Sequence, residues 1–302
     1  MSILHSIIFR AVQHGKTSYD PQHPIDYEAK RAAQEKITPQ GLPHGVCARE
    51  VQEAEVSGEL LVAEGNPEDT TVLYIHGGGF VVGSTKTVRP FTGRLVKLLG
   101  LNVLSISYRL APEHPYPAAH EDCMSAYRWL LRQPFGKRIV IMGESAGGNL
   151  VLGTVLHAKD EGLRLPECSV LLAPTVQYDQ VFPSYIENLK TDCMVSNLSE
   201  EIRAVYLCSD DPAALHDPYL APYYGDFVGF PTTLLIASDS EVLRDDAVFL
   251  QDKMRKAGVK SELILYHGLM HTFPLIPAIP ESKQAYREIR AFVDNTLRGA
   301  SS

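Results

Sequence analysis

The chain has 302 residues, of which 45% are hydrophobic and 21% are charged, so it is long enough for one large α/β domain or two small ones. Its net charge is −8 and no basic run exceeds two residues, which argues against a nucleic acid or an anionic membrane as a partner. The first residues lack the pattern of a secretory signal, and no segment approaches the roughly 20 apolar residues of a membrane-spanning helix. A soluble, cytoplasmic protein is expected.

The five cysteines do not form a recognisable ligand or disulfide set. They are odd in number, and no two of them stand at the C-x-x-C spacing. This pattern favours buried, reduced thiols over disulfide bonds or a metal site.

Strands and helices alternate along most of the chain. Residues 1 to about 45 are polar and helical in pattern, and the strands 47–51 and 58–63 then form an antiparallel pair that leads into the alternation. The predicted strands are 71–76, 101–108, 138–143, 169–173, 232–238 and 262–267, and the predicted helices are 87–99, 118–132, 146–158, 200–208, 245–257 and 281–297. This alternation predicts a single α/β domain over 1–302, with a mainly parallel sheet covered by helices on both faces.

Two regions do not fit this alternation, namely residues 1–45 and an insertion at about 176–230. The insertion is dense in aromatic residues: Tyr178, Phe182, Tyr185, Tyr206, Tyr219, Tyr223, Tyr224 and Phe227. Any single one of them is most simply a core residue. Together they suggest that the insertion, with the N-terminal segment, forms a cap beyond the carboxyl ends of the strands, where such folds bind ligands.

The motif GESAG at residues 143–147 stands where the strand 138–143 stops and a helical pattern begins. A G-x-S-x-G sequence in that position predicts a nucleophile elbow, because its glycines allow a sharp reversal that exposes the serine. Ser145 would then sit at a helix N-terminus, where unpaired backbone N–H groups favour developing negative charge. Ser145 is the candidate nucleophile.

A second glycine motif, HGGGF at residues 76–80, directly follows the apolar strand 71–76. Acyl transfer requires backbone N–H donors that point at the oxyanion before it forms, and a glycine run can supply them. The spacing of these glycines matches neither G-x-G-x-x-G nor G-x-x-x-x-G-K-[ST], so nucleotide binding is not favoured. The motif predicts an oxyanion hole.

A serine nucleophile needs a base and an acid that orients the base. In the chain order of α/β hydrolases the acid follows the serine and the histidine comes last. His271 lies in the loop after the last predicted strand and is the candidate base, whereas His267, at the strand end, has the features of a structural residue. The preceding strand ends before two candidate acids, Asp239 and Glu241.

The chain resembles the bacterial hormone-sensitive-lipase group of esterases, also called family IV, over nearly its whole length. The resemblance lies in HGGGF at 76–80, YRLAPEHPYPAA at 108–119, GESAGG at 143–148 and MHTF at 270–273. It implies the α/β-hydrolase fold and an oxyanion hole built from the N–H groups of Gly78, Gly79 and Ala146. It also implies short- to medium-chain acyl esters as substrates and a homodimer, as family members often form.

The chain departs from the family at the acid. Where family members usually read DPLRDE, residues 241–246 read EVLRDD, so the family's catalytic aspartate position holds Glu241. The resemblance implies Glu241 rather than Asp239 as the acid, since α/β hydrolases use either carboxylate. Asp245 and Asp246 are expected to begin the next helix. In the segment 108–119, Arg109 and Glu113 are expected to pair.

These observations predict a carboxylic ester hydrolase that works through Ser145, His271 and Glu241, with no metal or cofactor, on a small-molecule ester. Amide hydrolysis or acyl transfer to an alcohol would use the same groups and is the nearer alternative. A ligand-binding receptor on the same scaffold, like the plant gibberellin receptors, is the more distant one, because those receptors have lost the catalytic histidine.

Overall fold

The computed structural model describes residues 2–14, 16, 19–23, 25–179, 181–196, 198–209 and 211–299. Within these ranges the structure contains one eight-stranded sheet. Its strands are β1 (Val46–Glu53), β2 (Val56–Ala63), β3 (Thr70–Ile75), β4 (Asn102–Ser107), β5 (Arg138–Glu144), β6 (Cys168–Leu172), β7 (Thr232–Ser238) and β8 (Ser261–Tyr266). The predicted strands are confirmed, with ends that differ by one or a few residues.

The strands lie in the order β1-β2-β4-β3-β5-β6-β7-β8. The pairs β1–β2 and β2–β4 are antiparallel, and every other pair is parallel. The sheet is therefore mainly parallel with an antiparallel lead-in, as predicted. Since six neighbouring strands, β4 to β8 with β3 among them, run in the same direction, their carboxyl ends meet at one edge, and the loops that leave them face each other.

The helices are α1 (Ile3–His14), α2 (Tyr27–Ile37), α3 (Thr85–Leu99), α4 (Ala118–Leu131), α5 (Ala146–Asp160), α6 (Pro183–Glu187), α7 (Leu198–Glu201), α8 (Pro212–Leu215), α9 (Arg244–Lys256) and α10 (Pro280–Gly299). α9 begins one residue before Asp245, so Asp245 and Asp246 stand in its first turn as expected. No helix in the described ranges is both long and apolar enough to cross a membrane.

The core is divided in two by the sheet. Along β3, Leu73 and Ile75 belong to one buried cluster, whereas Val72 and Tyr74 belong to the other. Successive side chains of a strand point to opposite faces, so this alternation places one cluster on each side. Helices α4, α5 and α9 supply the first cluster, and α3 and α10 supply the second. Helices thus cover both faces, as predicted.

The insertion differs from its prediction in two ways. Instead of a regular helix over 200–208, the short α7 continues into a single stretch of π-helix, Ile202–Leu207, which ends at Cys208 with a φ of 52°. The aromatic residues also pack inward: Tyr206 stacks on Phe80 with ring centroids 4.1 Å apart, and Tyr178 and Phe227 are buried in the same cluster. These aromatic residues are therefore core residues, which is the simpler of the two predicted roles, core or cap.

In the segment 108–119 the predicted pairing of Arg109 with Glu113 is wrong. The Arg109 guanidinium instead contacts Asp122 at 2.8 Å and Glu121 at 3.1 Å, both in α4. Glu113 pairs with Arg31 of α2 at 2.8 Å. Spacing within a loop could not reveal these partners, since both come from other elements.

The five cysteines are free thiols. Cys123, Cys168 and Cys193 are buried, and Cys47 and Cys208 are exposed. The prediction of buried, reduced thiols is confirmed for the three buried cysteines and is wrong about burial for Cys47 and Cys208.

Candidate active site

The motifs singled out in the sequence lie in loops at one edge of the sheet. HGGGF follows β3, Ser145 follows β5, Glu241 follows β7 and His271 follows β8. These four strands run parallel with their carboxyl ends at the same edge, so residues far apart in the chain meet there. Parallel topology therefore assembles the site.

The backbone at Ser145 is strained. Its φ of 55° and ψ of −121° lie in a backbone region that residues other than glycine rarely adopt. The glycines on either side are required by close approach, because a Cβ on Gly147 would lie 2.2 Å from the carbonyl oxygen of Ile75. A Cβ on Gly143 would lie 2.5 Å from the carbonyl oxygen of Gly147. This is the sharp strand-to-helix turn predicted from the motif, and it places the half-buried Ser145 directly before α5.

The HGGGF loop runs through three residues with positive φ: Gly78 at 109°, Gly79 at 64° and Phe80 at 64°. The carbonyl oxygen of Gly78 accepts hydrogen bonds from the N–H groups of Val81 and Val82, which close the turn. In the described part of the chain, no hydrogen bond occupies the N–H of Gly78, Gly79 or Ala146. These three donors are the ones that the resemblance names.

His76, the first residue of that loop, has a structural environment. Its ring stacks on Tyr108 with centroids 4.2 Å apart, and the Tyr108 hydroxyl donates to the His76 carbonyl oxygen at 2.8 Å. Burial lowers the pKa of His76 to about 4, so the imidazole is neutral at ordinary pH. The stacking holds the start of the glycine run, which positions the amides that follow.

Glu144 ties the two motif loops together, a role that the sequence analysis missed. Its Oε1 accepts a hydrogen bond from the Gly77 N–H at 2.7 Å, and the Tyr74 hydroxyl donates to its Oε2. Burial raises the pKa of this carboxyl to about 7, although the two hydrogen bonds act in the opposite direction. The carboxyl thus links the residue before Ser145 to the loop that carries Gly78 and Gly79.

Glu241 and His271 form a buried pair. The Oε2 of Glu241 lies 2.5 Å from the Nδ1 of His271, and the two side chains are 1% and 4% exposed. The other carboxylate oxygen, Oε1, accepts a hydrogen bond from the Ser238 N–H at 2.6 Å. Both oxygens of Glu241 are therefore bound, which fixes the carboxylate and, through it, the imidazole ring.

The environment acts on the protonation of both partners. Burial acts to lower the pKa of His271, but the hydrogen bond and the charge of Glu241 outweigh it, so the pKa is raised above 6.5. Burial raises the pKa of Glu241, although the bond to His271 acts in the opposite direction. A base with a raised pKa is a stronger proton acceptor, which suits a group that must deprotonate a hydroxyl.

Asp239, the alternative acid, has a different partner. Its Oδ2 lies 2.6 Å from the Nδ1 of His267, whose side chain is 92% exposed. Its Oδ1 accepts a hydrogen bond from the Gly268 N–H at 2.9 Å. The structure therefore brings Glu241, and not Asp239, to His271.

A cavity of about 480 Å³ lies beside Ser145 and His271. The two glycines Gly78 and Gly79 form part of its wall. Both segments outside the α/β alternation contribute residues to the remaining wall: Val12, Lys16, Lys30, Gln34, Ile37 and Thr38 from the N-terminal segment, and Cys193, Met194, Val195, Ser196 and Glu201 from the insertion. None of the eight aromatic residues named for the insertion is among the described residues that line it.

The N-terminal segment also touches the backbone of two functional loops. The Nε2 of His5, a fully buried residue of α1, accepts a hydrogen bond from the N–H of Met270 at 3.0 Å, one residue before His271. Arg31 of α2 donates from Nε to the carbonyl oxygen of Val81 at 2.7 Å, just after the glycine loop. Neither contact has a local sequence signal, because each joins residues far apart in the chain.

Comparison with known proteins places this site in a family. Residues 72–275 match the family described by the alpha/beta hydrolase fold. An esterase of Acinetobacter venetianus is 32% identical over 249 residues, which cover 82% of this chain and 82% of that protein. An acetyl-hydrolase of Streptomyces hygroscopicus is 32% identical over 227 residues, which cover 74% of this chain and 75% of that protein.

A solved structure described as an esterase from the bacterial hormone-sensitive lipase family is also similar. It superposes with a TM-score of 0.89 at 30% identity, covering 98% of this chain and 99% of that chain. Fold, strained serine and relatives together define the class of the protein, a serine carboxylesterase. The chain belongs to the α/β-hydrolase family and, within it, to the bacterial hormone-sensitive-lipase group of esterases. The resemblance stated from the motifs is confirmed, and an enzyme is favoured over a non-catalytic receptor.

Proposed function

We propose that this esterase hydrolyses short- to medium-chain acyl esters through a triad of Ser145, His271 and Glu241 and a covalent acyl-enzyme. The observation that carries the proposal is the buried hydrogen bond between Glu241 and His271, beside a cavity that also holds the strained Ser145. A base held by a carboxylate beside a serine that lines the same cavity is the arrangement that nucleophilic acyl transfer needs.

In the proposed reaction, the hydrogen bond at Nδ1 of His271 leaves Nε2 to accept the proton of the Ser145 hydroxyl. The serine oxygen then attacks the acyl carbon, and the resulting oxyanion accepts hydrogen bonds from the N–H groups of Gly78, Gly79 and Ala146. His271 next donates its proton to the departing alcohol. Water repeats the sequence on the acyl-enzyme, with His271 as base, and releases the carboxylic acid.

The size of the cavity favours short and medium acyl chains as substrates. Its volume of about 480 Å³ lies at the lower end of the range of small-ligand sites. The similarity to an acetyl-hydrolase also favours a small acyl group. We propose further that the N-terminal segment and part of the insertion act as a cap that packs against long or bulky acyl groups, since both contribute residues to the cavity wall.

The test is covalent labelling together with a substrate panel. A fluorophosphonate probe should label Ser145 in the wild type, as located by mass spectrometry, and should not label Ser145→Ala. Purified protein should hydrolyse p-nitrophenyl acetate and butyrate faster than the laurate ester, and Ser145→Ala should lose this turnover by several orders of magnitude. A label on another residue, or an active Ser145→Ala variant, would contradict the triad.

The same panel separates the related reactions that this triad could perform. Matched p-nitroanilides report amide hydrolysis, and added alcohols report acyl transfer through the new esters they form. If anilides were cleaved as fast as esters, or if alcohols captured most of the acyl groups, the preference for ester hydrolysis would be wrong while the triad would stand.

A further inference from the structure

The turn that carries the proposed acid is held by the insertion. Asn188 donates from its Nδ2 to the carbonyl oxygens of Asp239 at 2.8 Å and Glu241 at 2.9 Å. Thr191 donates from its Oγ1 to the carbonyl oxygen of Ser240 at 3.0 Å. Residues 188–192 therefore bind the backbone of residues 239–242, which belong to a different part of the chain.

Asp192 is the last of these three residues, and it differs from Asn188 and Thr191 because its side chain is charged. Its side chain is only 2% exposed. Its Oδ2 accepts a hydrogen bond from the Val242 N–H at 2.8 Å, directly after Glu241. Its Oδ1 accepts from the N–H groups of Met194 and Val195 at 2.8 and 2.9 Å. Three neutral donors stabilise a carboxylate without cancelling its negative charge.

The position of Asp192 connects two parts of the site. On one side, its carboxylate holds the residue that follows Glu241. On the other, it holds the beginning of the stretch 193–196, all four residues of which line the cavity. Lys16, the nearby cation, binds its backbone carbonyl oxygen at 2.8 Å.

We propose that Asp192 is a positioning residue of this esterase: its buried, charged carboxylate holds the Glu241 turn against the cavity wall and through that turn acts on His271 during turnover. The proposal rests on the triad proposed above, since it assigns Asp192 an action through His271 and not on the substrate. Nothing in the sequence motifs points to this residue.

The charged groups around His271 are consistent with that role. Burial acts to lower the pKa of His271, the hydrogen bond and charge of Glu241 raise it, and the charges of Asp192 and Glu144 act in the same direction as Glu241. Glu144 lies at the end of β5, Glu241 in the turn after β7 and Asp192 in the insertion, so carboxyl groups of three elements act electrostatically on the imidazole, and of these Glu241 contacts it. A buried charge is screened weakly, so its removal should be measurable.

The test compares Asp192→Asn with Thr191→Val in pH profiles of kcat/KM on p-nitrophenyl acetate. Asp192→Asn is nearly isosteric; it removes the charge and replaces one accepting oxygen by an amide nitrogen, so the acid limb should move to lower pH by about one unit and the plateau kcat should fall on the order of tenfold. Thr191→Val removes a neutral hydrogen bond between the same two segments, the one to the carbonyl oxygen of Ser240, and changes no charge. Its acid limb should stay at the wild-type position.

Each outcome decides the proposal. A folded Asp192→Asn variant with an unmoved acid limb would overturn it, and so would a limb that moves equally in Thr191→Val. If Asp192→Asn does not fold, as judged by circular dichroism, Asp192→Ser provides the same comparison with a smaller neutral side chain. Turnover of Ser145→Ala distinguishes failure of the proposed triad from failure of the proposed role of Asp192. If Ser145→Ala stays active, the triad is wrong. If Ser145→Ala is inactive and the acid limb of Asp192→Asn is unmoved, only the role of Asp192 is rejected.

Discussion

Glu241 and His271 are joined by a hydrogen bond of 2.5 Å although 30 residues separate them in the chain. The longer glutamate side chain reaches the imidazole from the turn after β7, and its second oxygen is bound by the Ser238 N–H of its own turn. A carboxylate bound on both oxygens cannot rotate freely, so the ring it contacts keeps one orientation.

The first prediction concerns the acid. Glu241→Gln keeps the shape of the side chain but removes the charge that stabilises the imidazolium, so kcat should fall on the order of 10³- to 10⁴-fold. Asp239→Asn is the matched control, because it makes the same chemical change in the neighbouring carboxylate, which faces the exposed His267. Its kcat on the same short ester should stay within about threefold of wild type, because a carboxylate that does not contact the catalytic base does not stabilise its imidazolium. A large loss in Asp239→Asn with a mild one in Glu241→Gln would move the acid to Asp239.

The second prediction concerns pH. Protonated His271 cannot accept the serine proton, so kcat/KM should fall as the pH falls through the pKa of this residue. Because Glu241 raises that pKa, the midpoint of the acid limb should lie above 6.5. In Glu241→Gln the residual activity should show the midpoint at a lower pH, since burial then acts without the opposing carboxylate. A wild-type midpoint below 6.5 would contradict the raised pKa.

The third prediction concerns the elbow. In Gly147→Ala the new Cβ would lie 2.2 Å from the Ile75 carbonyl oxygen, so backbone must shift. We expect destabilisation of about 3 kcal/mol in urea unfolding and a loss of turnover, because β3 and β5 carry both motif loops. Gly41→Ala is the control, since nothing lies within 4 Å of its added Cβ and its φ is not positive. Its free energy of unfolding should change by less than about 0.5 kcal/mol. Equal stability of the two variants would show that the elbow tolerates a side chain.

The fourth prediction concerns Arg31, which donates to the carbonyl oxygens of Val81 and Ala111 and pairs with Glu113. Arg31→Met keeps the apolar stem and removes all of these bonds, so the loop that follows Gly79 should loosen. We expect kcat to fall about tenfold with a smaller change in KM, since the oxyanion exists only in the transition state. Arg128→Met removes an exposed ion pair with Glu161 and should leave kcat unchanged. A purely KM effect in Arg31→Met would argue against a role in holding the oxyanion loop.

The fifth prediction tests the cap. Deletion of about the first 40 residues removes the part of the cavity wall formed by α1 and α2. Activity on long or bulky acyl esters should fall more than activity on acetate, measured as the ratio of kcat/KM values across the ester series. The deletion should also promote aggregation, because Ile8 and Phe9 pack against the second core cluster and their partners become exposed. An unchanged ratio in a soluble, folded truncation would show that this segment does not select substrates.

Much of the fold and part of the site could be predicted from the sequence because they depend on local rules. Alternating strands and helices predict a parallel sheet, and the glycines of GESAG and HGGGF predict tight turns. In the structure those turns hold Ser145 at a φ of 55° and Gly78 at 109°. Such backbone requirements are met within a few residues, so they leave a signature in the order of the amino acids.

The contact between Glu241 and His271, which only the family resemblance had indicated, the partner of Arg109 and the inward packing of the insertion's aromatics all depend on tertiary structure. Each depends on which distant element supplies the neighbour: β8 brings His271 to Glu241, α4 brings Asp122 to Arg109, and the glycine loop brings Phe80 to Tyr206. A hydrogen bond or a ring contact across many residues carries no fixed spacing. The nucleophile turn, the glycine loop and the sheet therefore follow from local sequence patterns, whereas the packing of distant segments brings the Glu241 carboxylate to the histidine.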